Sequence, residues 1–236
     1  MATPSKGYFL QKDRIPGTTT IISRFKDSGG LIWWAWEEGY KQCKAGLPLV
    51  HKETAEKAAD IGTAAHAMIE SHINGEWFEA SKHPSVREMS EIDQQKACNA
   101  FDMYVRWEKQ TGIKFLSKYQ EIPLIHPELR YGGTPDAIGE IDGEIVLLDW
   151  KTSNSVYPDY LLQLADYTHL INDGIRMDTG EPLKFKVSNG GHLLRFAKEY
   201  PDFGHHYYGD LDLAWEQFKS FRKSYDTDKE LKKRVK

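Results

Sequence analysis

Gly133-Thr134-Pro135-Asp136 and Asp149-Trp150-Lys151 are the two most informative stretches of this 236-residue chain. Residues 133–141 and 144–150 have the apolar character of strands, and the Asp142-Gly143 pair between them is a strong signal for a two-residue hairpin turn. We therefore predict an antiparallel hairpin. With Asp142 and Gly143 as its loop, counting back along the two strands sets Asp136 directly opposite Asp149.

The predicted register brings two carboxylates and a lysine to one face of the hairpin. Directly opposed residues have Cβ atoms about 4.5–5.5 Å apart, and Lys151 shares the face of Asp149 because side chains alternate along a strand. Two carboxylates at this distance repel unless one takes up a proton or a cation joins them. A hard divalent ion such as Mg²⁺ or Mn²⁺ would resolve the conflict, and a nearby lysine could stabilise charge developing on a phosphate. The alternative is an ordinary hairpin whose charges face solvent.

The composition is that of a globular protein and excludes several other classes. Hydrophobic residues make up 40% of the chain and charged residues 28%. The longest apolar run, residues 31–36, is far shorter than the roughly 20 residues of a membrane-spanning helix, and the first residues lack the apolar segment of a signal peptide. Two cysteines, Cys43 and Cys98, are too few for a disulfide scaffold or a four-cysteine iron–sulfur site and favour a cytoplasmic location. The net charge of −4 argues against a protein that coats nucleic acid through excess positive charge. It is compatible with an enzyme that binds phosphate through metal ions.

The remaining pattern predicts one domain of the α/β class, with an N-terminal helical layer before a mixed sheet flanked by helices. Residues 1–17 are polar and are expected to be loose. Predicted helices cover residues 31–44, 54–73, 85–110, 160–172 and 211–224, and predicted strands cover residues 115–125, 133–141, 144–150, 183–187 and 192–196. Residues 20–110 would form the mostly helical part, residues 113–224 the α/β core, and residues 225–236 a basic, solvated tail.

Asp136 together with Asp149-Trp150-Lys151 resembles the signature of the PD-(D/E)XK nuclease superfamily, and Pro135-Asp136 matches its opening dipeptide. Further features resemble the RecB-like exonuclease branch, which includes phage exonucleases, CRISPR-associated adaptation nucleases and mitochondrial genome maintenance exonucleases. They are Gly62-Thr63-Ala64-Ala65-His66 on a helix, Glu121 on the strand before the hairpin, and Gln163-Leu164-Ala165-Asp166-Tyr167 on the helix that follows. The resemblance covers about residues 20–222, and the cysteine count makes the chain similar to members without an iron–sulfur cluster.

The resemblance implies a restriction-endonuclease-like core and a metal-dependent exonuclease that acts on single-stranded DNA or DNA ends and leaves 5′-phosphates. One or two Mg²⁺ or Mn²⁺ ions would be held by His66, Asp136, Asp149 and the Trp150 carbonyl, with Glu121 as a further candidate. Lys151 would act on the scissile phosphate, and Gln163 and Tyr167 would contact substrate or the surroundings of that lysine. Glu70, one turn after His66, would orient the histidine.

A DNA path is predicted from basic and aromatic residues, namely Arg24, Lys26, Trp33, Trp34, Tyr40 and Lys41. The alternative is that these tryptophans belong to the core, which is the more common place for three tryptophans within four residues. The competing functions are a non-catalytic DNA-binding or assembly protein, a sequence-specific endonuclease, and a zinc hydrolase, for which the chain lacks a His-Glu-x-x-His motif. A recombination, repair or replication protein would be a compatible partner, and no membrane association is expected.

Overall fold

A five-stranded mixed sheet with helices on both faces forms the centre of the protein, as the sequence predicts. The computed structural model describes residues 4, 6–27, 29–47, 51–79, 83–87, 89–188, 190–196 and 203–235, and within them the side chains of all residues but 31, 51–60, 84 and 85. None of the helices in these ranges is long and apolar enough to cross a membrane.

The elements of the described chain begin with a helix-rich half and continue into the sheet. The first half contains β1 (Tyr8–Leu10), β2 (Asp13–Ile15), α1 (Thr18–Phe25), α2 (Gly29–Lys44), α3 (His51–Ile73), α4 (Pro84–Arg87) and α5 (Glu91–Thr111). The second half contains β3 (Lys114–Phe115), a 3-10 turn (Ser117–Tyr119), β4 (Leu124–His126), β5 (Tyr131–Gly133), β6 (Ala137–Ile141), β7 (Glu144–Thr152), α6 (Pro158–Asp173), β8 (Ile175–Arg176), β9 (Gly191–Phe196), β10 (Phe203–Tyr208) and α7 (Asp212–Arg234).

The central sheet has the strand order β10-β9-β7-β6-β3. Its strands pair antiparallel except for β7 and β9, which run parallel and are joined through α6. In the β6–β7 hairpin, Ile141 pairs with Glu144, so the predicted register is confirmed. Asp142 and Gly143 have φ angles of 51° and 86°, as a two-residue turn between twisted antiparallel strands requires.

The two faces of the hairpin pack against different helices because successive side chains point in opposite directions. Ile138 and Leu147 belong to a cluster with residues of α6 and α7. Leu148 and Trp150 belong to a second cluster with residues of α3 and α5. The sheet is therefore covered on both sides, and β7 lies between α3 and α6.

The first residues of the chain correct one prediction, because residues 8–15 form the β1–β2 hairpin rather than a loose segment. Tyr8 is buried and its hydroxyl lies 2.9 Å from the Thr134 hydroxyl. A Cβ on Gly132 would lie 2.5 Å from the Tyr8 ring, so the ring reaches this position because residue 132 is glycine. The sequence pattern does not predict this hairpin because each strand has three residues, which is too few to show the alternation of apolar and polar side chains.

Other differences concern element boundaries. The helix predicted over residues 85–110 is divided into α4 and α5, and the Ser90 hydroxyl caps α5 by accepting from the backbone N–H of Asp93. The strand predicted over residues 115–125 is interrupted by the 3-10 turn, and residues 183–187 form no strand. The predicted solvated tail continues α7 as helix to Arg234, although its side chains are largely exposed.

Candidate active site

The carboxylate pair lies buried at the end of the hairpin away from its turn. Asp136 directly precedes β6, and its Oδ2 accepts a hydrogen bond of 2.8 Å from the backbone N–H of Trp150. Asp149 on β7 is fully buried, and the Lys151 Nζ approaches its Oδ2 to 2.5 Å. The alternative of an ordinary hairpin with solvent-facing charges is therefore wrong.

Burial and mutual charge set the protonation of this cluster. Burial raises the pKa of Asp149 to about 7, the ammonium of Lys151 opposes this shift, and the charge of Asp136 adds to it. Burial by itself would lower the pKa of Lys151, but Asp149 and Asp136 outweigh it, so the pKa of Lys151 is raised. The lysine is therefore charged and acts as the counter-ion of two carboxylates.

His66 approaches the same region from α3. Burial lowers the pKa of His66 to about 4, against the opposing charge of Asp136, so its imidazole is neutral at physiological pH, the form that binds metals. The backbone of Trp150 lies beside the ring, and the buried His66 Nδ1 has no hydrogen-bond partner among the described residues. An open cleft of about 300 Å³ begins here, lined by Gly62, Thr63, His66, Trp150, Lys151, Thr152 and Tyr160.

Several buried polar atoms of the cluster match the needs of a hard divalent ion. The two carboxyl groups lie within hydrogen-bonding reach of each other, and Lys151 approaches Asp149. Apart from these contacts, Asp136 Oδ1 and both Asp149 oxygens accept no hydrogen bond from the part of the chain that the structure describes. Two carboxylates and a neutral imidazole are suitable ligands for Mg²⁺ or Mn²⁺ in donor chemistry. Across the described ranges, however, no three His, Cys, Asp or Glu side chains are already grouped closely enough to hold an ion. The lysine, rather than a preformed ligand shell, balances the carboxylate charge.

Gly62 explains how α3 reaches β7. A Cβ at this position would lie 2.3 Å from the Thr152 hydroxyl oxygen and 3.4 Å from the Thr152 Cβ. The absence of a side chain thus allows the helix to approach the strand beside the cleft. His66 follows one turn later on the same face of the helix.

We expect Gly62→Ala to destabilise the protein by about 1–3 kcal/mol, the usual cost of overpacking. The physical cause is the clash with Thr152, so the double variant Gly62→Ala/Thr152→Ala should recover most of the loss. Urea unfolding of both variants and of Thr152→Ala alone measures this coupling. Equal stability of the single and double Gly62 variants would contradict the predicted contact.

The two glutamates of the predicted site lie at its margins. Glu70 is half-buried, its pKa is raised mainly by burial with Asp136 among the contributing charges, and no hydrogen bond joins it to His66 within the described structure. Glu121 lies in a turn with a φ of 47° rather than on a strand, and its backbone N–H points to the Asp136 carbonyl at 3.4 Å. Both remain predictions as site residues.

Gln163 and Tyr167 lie on one face of α6, as their spacing predicts, and Gln163 Nε2 donates a hydrogen bond of 2.8 Å to the Tyr167 hydroxyl. Both side chains are buried, and neither lines the cleft. Burial and the charges of Asp149 and Asp136 raise the pKa of Tyr167. This geometry favours a contact with the carboxylate pair over a contact with substrate.

The predicted basic residues are partly engaged within the protein. Arg24 forms an ion pair with Asp228 on α7, and Lys26 binds Asp159 at 2.8 Å. Lys41 pairs with Glu37 on its own helix, at 3.1 Å. Of these three, Lys26 lies beside an aromatic residue near the cleft, since its Nζ is 5.8 Å from the centroid of the Tyr157 ring.

The aromatic residues of α2 are exposed, so the core alternative for them is wrong. Trp33 is 63% exposed, and Trp34 and Tyr40 are also exposed. The Trp36 ring lies 5.1 Å from Trp33 and 5.5 Å from Tyr40, between centroids, which makes a continuous aromatic stripe along the helix. Their role in DNA binding remains a prediction.

Sequence reasoning missed two features around the site. Tyr160 lines the cleft, with its ring centroid 5.4 Å from the Lys151 Nζ. Asp166 is fully buried on α6 and accepts a hydrogen bond from the Thr18 hydroxyl. An acidic residue within the apolar run of α6 was the available signal for Asp166, whereas only tertiary packing reveals Tyr160.

The chain matches no protein-family model and no curated protein. It is similar to two solved structures of LHK-Exo, an alkaline exonuclease from Laribacter hongkongensis. The complex with dAMP has 12% identity and a TM-score of 0.40 over 75% of this chain and 87% of that chain. The other has 12% identity and a TM-score of 0.38 over 72% and 91%. The structure of SSO0001 has 13% identity and a TM-score of 0.34 over 70% and 72%. Structural similarity at these identities and TM-scores does not indicate a function. The function has to be inferred from the residues of the site.

Proposed function

We propose that this protein is a divalent-metal-dependent DNA exonuclease that hydrolyses phosphodiester bonds in single-stranded DNA or at DNA ends and leaves 5′-phosphates. One observation carries the proposal. Asp136 and Asp149 are buried side by side with unsatisfied oxygens, and Lys151 lies between Asp149 and an open cleft. A structural hairpin gains nothing from two carboxyl groups and a lysine buried together, because the burial of ionisable groups is costly.

In this proposal Asp136, Asp149, His66 and the Trp150 carbonyl hold one or two Mg²⁺ or Mn²⁺ ions, with Glu121 as a further candidate. Such an ion, when bound, neutralises phosphate charge and activates the water nucleophile. Lys151 would then be released from its role as counter-ion, and its ammonium would face the phosphate in the cleft. There it orients the attacking water or stabilises the charge of the transition state.

The residues around this group support it without touching the substrate. Gln163 and Tyr167 are hydrogen-bonded to each other, and Tyr167 is close enough to the carboxylates for their charges to raise its pKa, so these two residues would fix the position of the pair. Glu70 adds negative charge near Asp136 and so favours a bound cation. In our proposal these three are positioning residues, and Lys151 is the catalytic one.

The DNA would approach over exposed aromatic and basic side chains. The stripe of Trp33, Trp36 and Tyr40 offers ring surface for stacking, which every base can use. Lys26, which contacts Tyr157 and Asp159 at the start of α6, would contact a phosphate of the DNA. A partner protein of recombination, repair or replication is compatible with such a surface.

An assay with end-labelled DNA tests the proposal. A single-stranded oligonucleotide labelled at the 5′ or the 3′ end is incubated with the protein and Mn²⁺ or Mg²⁺, beside a circularised strand. We expect metal-dependent loss of the linear strand, protection by EDTA, and an intact circle. The two labels give the direction of digestion.

The alternatives give different results in the same assay. Cleavage of the circle would indicate an endonuclease, and activity with Zn²⁺ but not with Mn²⁺ or Mg²⁺ would indicate a zinc hydrolase. A mobility shift without cleavage under every metal would support a non-catalytic DNA-binding protein. Each of these outcomes contradicts the exonuclease proposal.

A further inference from the structure

An exposed tyrosine lies at the rim of the cleft, next to the residue that lines it. Tyr157 directly precedes α6 and is 45% exposed. Its ring is perpendicular to that of Tyr160, with 5.6 Å between centroids, and the Tyr160 ring is in turn 5.4 Å from the Lys151 Nζ. Two successive contacts therefore connect an open aromatic surface to the catalytic lysine of the proposed site.

The start of α6 restricts the backbone next to Tyr157, and Lys26 lies beside the ring. Pro158 fixes the first residue of α6 behind the tyrosine. Lys26 lies 5.8 Å from the Tyr157 ring centroid and is held in place by Asp159 at 2.8 Å, with about two fifths of its side chain exposed. A flat apolar ring and a lysine that is ion-paired with Asp159 thus occur together at the entrance to the cleft. Single-stranded nucleic acid binds through aromatic rings and basic side chains, and here a phosphate would replace the Asp159 carboxylate as the partner of the lysine.

We propose that Tyr157 is the stacking platform for the nucleobase next to the scissile phosphate, with Lys26 as the contact for the neighbouring phosphate. The inference rests on the proposed nuclease function and makes it more specific. A base reaches the ring only after it has left its complementary strand, so the substrate is a single strand or a frayed end. Stacking recognises any base, and the enzyme is therefore indifferent to sequence.

The test compares ends with and without bases. Two oligonucleotides are identical except that the nucleotides at the digested end are abasic in one of them, and kcat/KM is measured for each. We expect Tyr157→Ala to lower kcat/KM on the base-bearing end by about tenfold or more, within the range of one stacked base. On the abasic end it should match the unmodified protein. Tyr157→Phe, which keeps the ring, should retain the full rate.

A matched control and a binding measurement complete the design. Tyr207→Ala removes a similarly exposed tyrosine from β10, outside the cleft, and should leave both rates unchanged. A 2-aminopurine base at the end, titrated with protein in Ca²⁺, should be quenched by the unmodified protein and not by Tyr157→Ala.

The outcomes separate the two proposals. Two results would overturn the stacking platform without contradicting the nuclease proposal. In one, the unmodified protein has the same kcat/KM on the base-bearing and the abasic end. In the other, Tyr157→Ala lowers kcat/KM equally on both ends. If no variant cleaves DNA, the nuclease proposal fails. In that case the 2-aminopurine titration decides. Quenching that depends on Tyr157 supports the platform, whereas quenching that does not depend on it, or no quenching by the unmodified protein, overturns it.

Discussion

Lys151→Met is expected to lower the rate of DNA cleavage by about a thousandfold, in the range found when one group that stabilises a transition state is removed. Methionine keeps the unbranched stem and removes the charge, so packing around the stem is largely retained. The single-strand assay with Mn²⁺ measures the loss. Lys114→Met, the same change at an exposed lysine of β3, is the matched control and should keep full activity.

The same variant reports on the carboxylate pair. Lys151 is the cation whose charge opposes the raised pKa of Asp149, so without it that pKa rises further and the buried pair must take up a proton when the chain folds at neutral pH. The metal-free variant should therefore unfold at a lower temperature than the metal-free parent, and added Mn²⁺ should raise its melting temperature more than that of the parent. Unchanged cleavage by Lys151→Met would end the proposed role of this lysine.

Asp166→Asn is expected to make the protein more stable in alkaline solution. Burial raises the pKa of Asp166 from its ordinary value of 3.8 to about 8, although the hydrogen bonds it accepts oppose the shift. The folded state thus holds a proton that the unfolded chain releases above about pH 4. Stability should fall as the pH rises from about 4 to 8 and stay reduced above that range. Asparagine has a similar shape and no proton to lose, so the variant lacks this dependence.

Melting temperatures between pH 5 and 9 measure the effect. Each pKa unit corresponds to about 1.4 kcal/mol, so the variant should gain several kcal/mol relative to the parent between the two ends of this range. That gain corresponds to a relative shift of roughly 6 °C or more for a chain of this size. Asp102→Asn, the same change at an exposed position of α5, should follow the parent at every pH. Parallel curves for Asp166→Asn and the parent would show that Asp166 is not protonated in the fold.

Local rules were sufficient for the hairpin and for the spacing on helices. The Asp142-Gly143 turn has one favourable geometry, and once it is fixed the alternation of side chains determines that Asp149 and Lys151 share a face. The helical period likewise determines that Gln163 and Tyr167 lie together, and the structure adds the hydrogen bond between them. Predictions of this kind need only the spacing of residues a few positions apart, or the pairing of two strands whose register is set by the turn between them.

Contacts between distant segments could not be derived in this way. The β1–β2 hairpin exists because Tyr8 packs on Gly132, and the strand predicted over residues 115–125 is broken where Glu121 turns with a positive φ beside Asp136. The stripe on α2 has the composition of a core, yet it is exposed, because no pattern within one helix states whether another element covers it.

Short-range geometry made three features predictable from the sequence: the hairpin register, the shared face of Asp149 and Lys151, and the α/β order of elements. The burial of the carboxylates, the position of Lys151 beside Asp149 and the path of Tyr160 and Tyr157 from the cleft to its rim emerge only in the folded chain. Burial and electrostatic partners depend on which elements pack over a residue, and that packing is a property of the whole fold.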